Sequence, residues 1–150
     1  MKSPDPAPVN IPAQARFMKL LFFIMALSAV MYFPFLLIIR PKVESVPGEL
    51  KMGLEGPALV SVLIVLFIRF VKIAGVLVPD MPIATVERLA KLRTYFIVCY
   101  VFCETVALYG FVLRFMGSSL MDAAPFFAGS LLLYALCYPR LPSDLDSSQG

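Results

Sequence analysis

"PALVSVLIVLFIRFVKIAGVLV", residues 57–78, decides how the rest of the chain is read. The run contains no acid and no amide, and its charges are Arg69 and Lys72. A helix that crosses a membrane needs about 20 consecutive apolar residues. Hydrocarbon offers no water to the backbone, so a run of this length must satisfy its own N–H and C=O groups and folds as a helix.

Three more runs have the same character. They are 18–39, "MKLLFFIMALSAVMYFPFLLII", 94–116, "TYFIVCYVFCETVALYGFVLRFM", and the shorter 123–138, "AAPFFAGSLLLYALCY". The chain is 60% hydrophobic and 15% charged over 150 residues, with mean hydropathy +0.86. Soluble domains carry about 25% charged residues. The expected fold is an all-α membrane protein, four transmembrane helices in a small bundle. Residues 1–15 read as a proline-rich N-terminal arm, 16–140 as the four-helix domain, and 141–150 as a polar tail. Pro34 lies well inside an apolar run and predicts a kink there.

The first run resembles a signal peptide at its start, with Arg16 and Lys19 at its edge and Ala26 to Ala29 as a small-residue patch. Its apolar stretch continues past Ala29 to Ile39, beyond the 7–15 residues typical of a signal core. A retained helix is expected. Nine of the thirteen Lys and Arg fall at one end of the bundle: Lys2, Arg16, Lys19, Arg69, Lys72, Arg88, Lys91, Arg93 and Arg140. Arg40, Lys42, Lys51 and Arg114 fall at the other. By the positive-inside rule both termini are cytoplasmic, and a bacterial inner membrane is the expected address.

Several chemistries are excluded or demoted. The chain has no histidine, no Cys-x-x-Cys and no glycine-rich phosphate loop. That removes His-ligated haem, most catalytic zinc sites and the His-activated nucleophiles. No metal, cofactor, nucleic acid or enzymatic activity is expected. Cys99 and Cys103 stand one turn apart, and with Ala107 and Gly110 they form a stripe of small residues suited to close helix packing.

The polar exception in the third run is Glu104. It lies ten residues after Thr94, about 15 Å into a hydrocarbon layer about 30 Å thick. A carboxyl at that depth marks a candidate functional site. "ETVALYG" followed by "FVL" resembles the ion-carrying helix of the rotary ATP synthase c subunit, where a mid-membrane Glu precedes Tyr-Gly by five and six residues. Here Glu104, Tyr109 and Gly110 hold that spacing, and the likeness spans residues 87–115. The resemblance implies that Glu104 carries a proton or cation, with Thr105 and Tyr109 near it; Tyr100 shares its helix face. The family is a two-helix hairpin with a glycine-rich partner helix, which this chain lacks, and Arg114 stands where the family stays apolar.

The competing reading is structural. Arg69 lies nine residues before Val78, about 13.5 Å deep, so an Arg69–Glu104 pair across the second and third runs would neutralise both charges. The function expected is an accessory or scaffolding subunit of a larger membrane complex, with lipids and other membrane subunits as partners. The alternative is ion translocation through Glu104.

Overall fold

The structure, a computed structural model, describes residues 11–38, 48–77 and 85–139. Four helices account for almost all of them. α1 is Ile11–Ile38. α2 is a continuous rod of three stretches, α-helical Gly48–Phe67, π-helical Ile68–Ile73 and a last turn Ala74–Leu77. α3 is Thr85–Phe115 and α4 is Leu120–Leu136. Three spans are long and apolar enough to cross a membrane: Arg16–Phe35, Gly48–Val76 and Glu87–Phe115. α4, at 17 residues, is shorter.

The helices begin earlier than the apolar runs do. α1 takes in 11–15, the end of the expected arm, because Pro12 has the φ a helix needs and its missing N–H costs nothing in the first turn. Residues 1–10 and 140–150 lie outside the described residues. α2 begins at Gly48, nine residues before Pro57, with Glu49 in its first turn where the helix dipole favours an acid. Pro57 is therefore inside a helix rather than at its start. It cannot donate to the Gly53 carbonyl, while its own carbonyl accepts from Ser61 Oγ at 2.8 Å. α3 starts nine residues before Thr94. The segment "ERLAKLR", outside the apolar run, is made of good helix formers and carries a Glu87–Lys91 pair at i,i+4 spacing, 2.8 Å long.

The turn between α3 and α4 is fixed locally. Gly117 has φ 110°, the left-handed conformation that glycine adopts without a Cβ clash. Around it Gly117 N–H donates to Arg114 O (3.1 Å) and Ser118 N–H to Leu113 O (3.0 Å), the Schellman pattern that closes a helix. Ser119 then opens α4, its hydroxyl accepting from Asp122 N at 3.2 Å and donating to Asp122 Oδ2 at 2.7 Å. Ser119→Ala is expected to destabilise the bundle by about 1 kcal/mol, the usual cost of a lost N-cap. Thermal unfolding in detergent followed by circular dichroism checks this, and an unchanged midpoint would count against the cap.

α3 is the axis of the bundle. It touches every other helix, and 44% of its apolar span is buried, against 17% for α1 and 22% for α2. α1 and α2 pack chiefly on α3 rather than on each other. At the centre, Tyr100 of α3 stacks on Phe96 and on Tyr134 of α4, each with ring centroids 6.1 Å apart. Phe22 of α1 meets Tyr100 and Tyr134 edge-on at 5.7 and 6.1 Å. Edge-to-face and offset pairs of this kind add about 0.5–1.5 kcal/mol each beyond burial.

Candidate functional site

The small-residue stripe faces α4. Cys99, Cys103, Ala107 and Gly110 are all buried. A Cβ on Gly110 would stand 2.7 Å from Phe126 Cβ, 2.8 Å from Phe127 Cε2 and 3.1 Å from the Ala123 carbonyl oxygen. Glycine is what lets the two backbones approach there. About two and three turns towards the α3 N-terminus, α4 is tied on by hydrogen bonds. Ser130 Oγ donates to Cys103 O at 2.7 Å, and the Tyr134 hydroxyl lies 3.2 Å from Tyr100 O. Cys137 ends α4 with its thiol near those of Cys99 and Cys103, and its carbonyl lies 3.5 Å from the Tyr100 hydroxyl. All three cysteines are free thiols.

Glu104 sits where three helices meet. Ser28 Oγ of α1 donates to Oε1 at 2.8 Å, and the Tyr134 hydroxyl of α4 donates to Oε2 at 3.0 Å. Tyr32, one turn after Ser28, lies near the same carboxylate. The carboxylate thus links α1, α3 and α4 through neutral hydroxyls. Among the described residues every buried side-chain N and O has a hydrogen-bond partner.

Arg69 is not one of the partners of Glu104. Its Nε donates to Leu136 O at 2.9 Å, satisfying a carbonyl in the last turn of α4. The two groups lie at different depths because the apolar runs from which depth was counted, ending at Val78 and starting at Thr94, do not end level. Arg88 Nε donates to Val76 O at 2.6 Å, so Val76 is level with Arg88 rather than with Thr94. Counting seven residues along each helix from that contact places Arg69 beside residue 95 of α3, roughly 13 Å short of Glu104. The ion pairs seen among the described residues, Lys51–Asp122 and Glu87–Lys91, involve neither group.

The other candidate residues divide. Tyr100 joins the site through Tyr134, which stacks on its ring and approaches its carbonyl. Thr105 turns its hydroxyl back to Val101 O of its own helix at 2.8 Å. Tyr109 is half-buried. Arg114 donates to Ser118 O at 2.9 Å. Asp122 instead takes Lys51, whose hydrogen bond, with that of Ser119, holds the Asp122 carboxyl below its usual range. Among the described residues no group of three or more His, Cys, Asp or Glu is arranged to hold a metal.

Sequence reading missed Ser28, Tyr32 and Tyr134. One of them was within reach. Arg93 lies over the Phe17 ring at 4.6 Å and Ser28 meets Glu104, so Phe17 and Arg93 are level and α1 and α3 run the same way. Eleven residues on from each lie Ser28 and Glu104. The same depth count, applied between the first and third runs, finds the observed partner. Against known proteins the chain matches no family, no curated protein and no solved structure. The c-subunit likeness therefore rests on the residues quoted for it.

Proposed function

We propose that this chain is a small polytopic membrane protein that serves as an accessory or scaffolding subunit of a larger membrane complex and carries out no chemistry of its own. The observation that carries this reading is where the polar groups go. The carboxylate of Glu104, the hydroxyls of Ser28, Ser130 and Tyr134, and the Nε of Arg69 are all engaged in holding one helix to another. Outside them α1 and α2 present broad apolar faces, including Phe23, Leu27, Leu63 and Phe70. In this reading lipid and neighbouring membrane subunits cover those faces, α4 makes a fourth crossing, and no nucleic acid is bound. Gentle solubilisation from native membranes, with identification of what co-purifies, tests it. A defined set of membrane partners in constant ratio is the expected result; recovery of the chain alone at every detergent strength would contradict it.

The orientation is part of the same proposal. Both termini face the cytoplasm of a bacterial inner membrane, because the described cations Arg16, Lys19, Arg69, Lys72, Arg88, Lys91 and Arg93 cluster at the end of the bundle where α1 begins and α4 ends. A cysteine added near Gln149 should be inaccessible to impermeant maleimide in intact cells, and labelling from outside would reverse the orientation.

One observation favours a second reading, ion translocation. Glu104 is held by neutral hydroxyls rather than by a cation, an arrangement that can accept or release a proton without stranding a buried partner charge. Under that reading Glu104→Gln folds normally and abolishes proton flux, and a carbodiimide labels Glu104 in a pH-dependent way.

A further inference from the structure

Two cations in the bundle meet no acid among the described residues. Arg69 and Lys72 both lie on the π-helical turns of α2, Ile68–Ile73. No carboxylate among the described residues pairs with either. Arg69 commits Nε to Leu136 O, leaving the rest of its five-donor fork for another acceptor. Lys72 is exposed, with its ammonium 5.9 Å from the Phe67 ring centroid. Around them Phe67, Phe70 and Val71 are exposed, so the two charges stand on an apolar surface.

We propose that Arg69 and Lys72 bind the phosphate of an anionic phospholipid, whose acyl chains lie on Phe67, Phe70 and Val71. Depth agrees. Measured from Val76, which is level with Arg88, Lys72 lies about 6 Å and Arg69 about 10 Å inside the bundle end, within reach of headgroups for long snorkelling side chains. Charge agrees as well. The contacts Arg93–Phe17 and Arg88–Val76 place Arg16, Lys19 and Arg93 at this same end, where the described acid, Glu87, is engaged by Lys91. At the opposite end Lys51 is neutralised by Asp122. Among the described residues no free acid remains at the end that holds Arg69 and Lys72, and anionic headgroups would supply countercharge at this depth. A free phosphate ion gains nothing from the flanking phenylalanines. A zwitterionic headgroup brings its own cation to compete with both side chains.

Lipid binding at this site requires α2 to sit in a membrane, as proposed above, but it is independent of the scaffolding role. The test uses the full chain in mild detergent, titrated with phosphatidylglycerol or phosphatidylcholine of matched acyl chains and read by native mass spectrometry. Phosphatidylglycerol should be retained at least fivefold better. Arg69→Gln with Lys72→Gln should bring the two lipids near parity, Lys51→Gln should change nothing, and millimolar inorganic phosphate should not displace the lipid. Lys72→Gln alone, at an exposed position, should cost twofold or more, which keeps the test open if the Arg69 substitution disturbs the fold. Preference that survives both substitutions overturns the site. So does an equal loss in Arg16→Gln with Lys19→Gln, which would mean a diffuse basic belt, and so does displacement by free phosphate. Release of the wild-type chain from membranes by alkaline carbonate would remove the membrane reading and this site together; failure of the lipid preference in a carbonate-resistant chain removes the site alone.

Discussion

Gly110→Leu is expected to be the most damaging single substitution in the described bundle. A Cβ there would already lie 2.7 Å from Phe126 Cβ, an atom fixed to the α4 backbone, and 3.1 Å from the Ala123 carbonyl oxygen. Neither can rotate away, so α4 must move as a body. Overpacking a core costs about 1–3 kcal/mol, occasionally more, and a leucine that drives two helices apart belongs at the top of that range. Gly110→Ala is the graded control. It gains roughly 0.5–1 kcal/mol of helix propensity and still suffers the contact, so it should be less stable than the wild type but more stable than the leucine variant. The displacement also breaks the Ser130–Cys103 and Tyr134–Glu104 bonds. Thermal midpoints of the three proteins in one detergent should fall in the order glycine, alanine, leucine. Equal midpoints would show that α3 and α4 do not approach closely at Gly110.

Glu104→Ala should have the second-largest effect. It removes the acceptor for Ser28 and Tyr134 together and detaches α1 from the junction of α3 and α4. Interhelical hydrogen bonds in membrane proteins are worth about 0.6 kcal/mol on average and up to about 1.7 kcal/mol. Two of them predict a loss of roughly 1–3 kcal/mol. Glu104→Gln should lose less, because the amide oxygen still accepts and the hydroxyls can turn to accept from its N–H groups. α1, whose span is 17% buried, has the least other packing to hold it. Its loosening should therefore appear first, as earlier proteolysis of α1 in Glu104→Ala than in the wild type. An alanine variant as stable and as protease-resistant as the wild type would remove the structural role of Glu104.

The helices were legible because a long apolar run, away from water, must satisfy its own backbone groups and has little choice but to coil. Their ends were not. Apolar runs mark the part of a helix that faces lipid or core, whereas "GELKMGLEG" and "ERLAKLR" extend α2 and α3 through residues that polarity alone assigns to loops. That error propagated to the site. Depths counted from Val78 and Thr94 placed Arg69 opposite Glu104, although α2 and α3 meet at Val76 and Arg88. The stripe Cys99, Cys103, Ala107, Gly110 could be drawn from spacing. That it meets α4 could not, since four helices offer several neighbours to a face of small residues. The π-helical turns of Ile68–Ile73 left no trace in the hydrophobic pattern, because "IRFVKI" suits an α-helix equally well. Tyr134 was hidden for a different reason: a tyrosine in an apolar run reads as packing or an interface anchor, and only its distance to Glu104 gives it a partner.

The central claim is that Glu104 is a structural latch between helices, and a double-mutant cycle between Glu104→Ala and Ser28→Ala on unfolding free energy tests it most directly. Ser28 lies 76 residues away on another helix and donates to Glu104 Oε1, so a direct bond is the route by which the two can couple. The latch predicts that the double variant loses less than the sum of the single losses, by about 0.6–1.7 kcal/mol. Additivity within about 0.3–0.5 kcal/mol, the behaviour of independent sites, would contradict it and move Glu104 from latch to ion carrier.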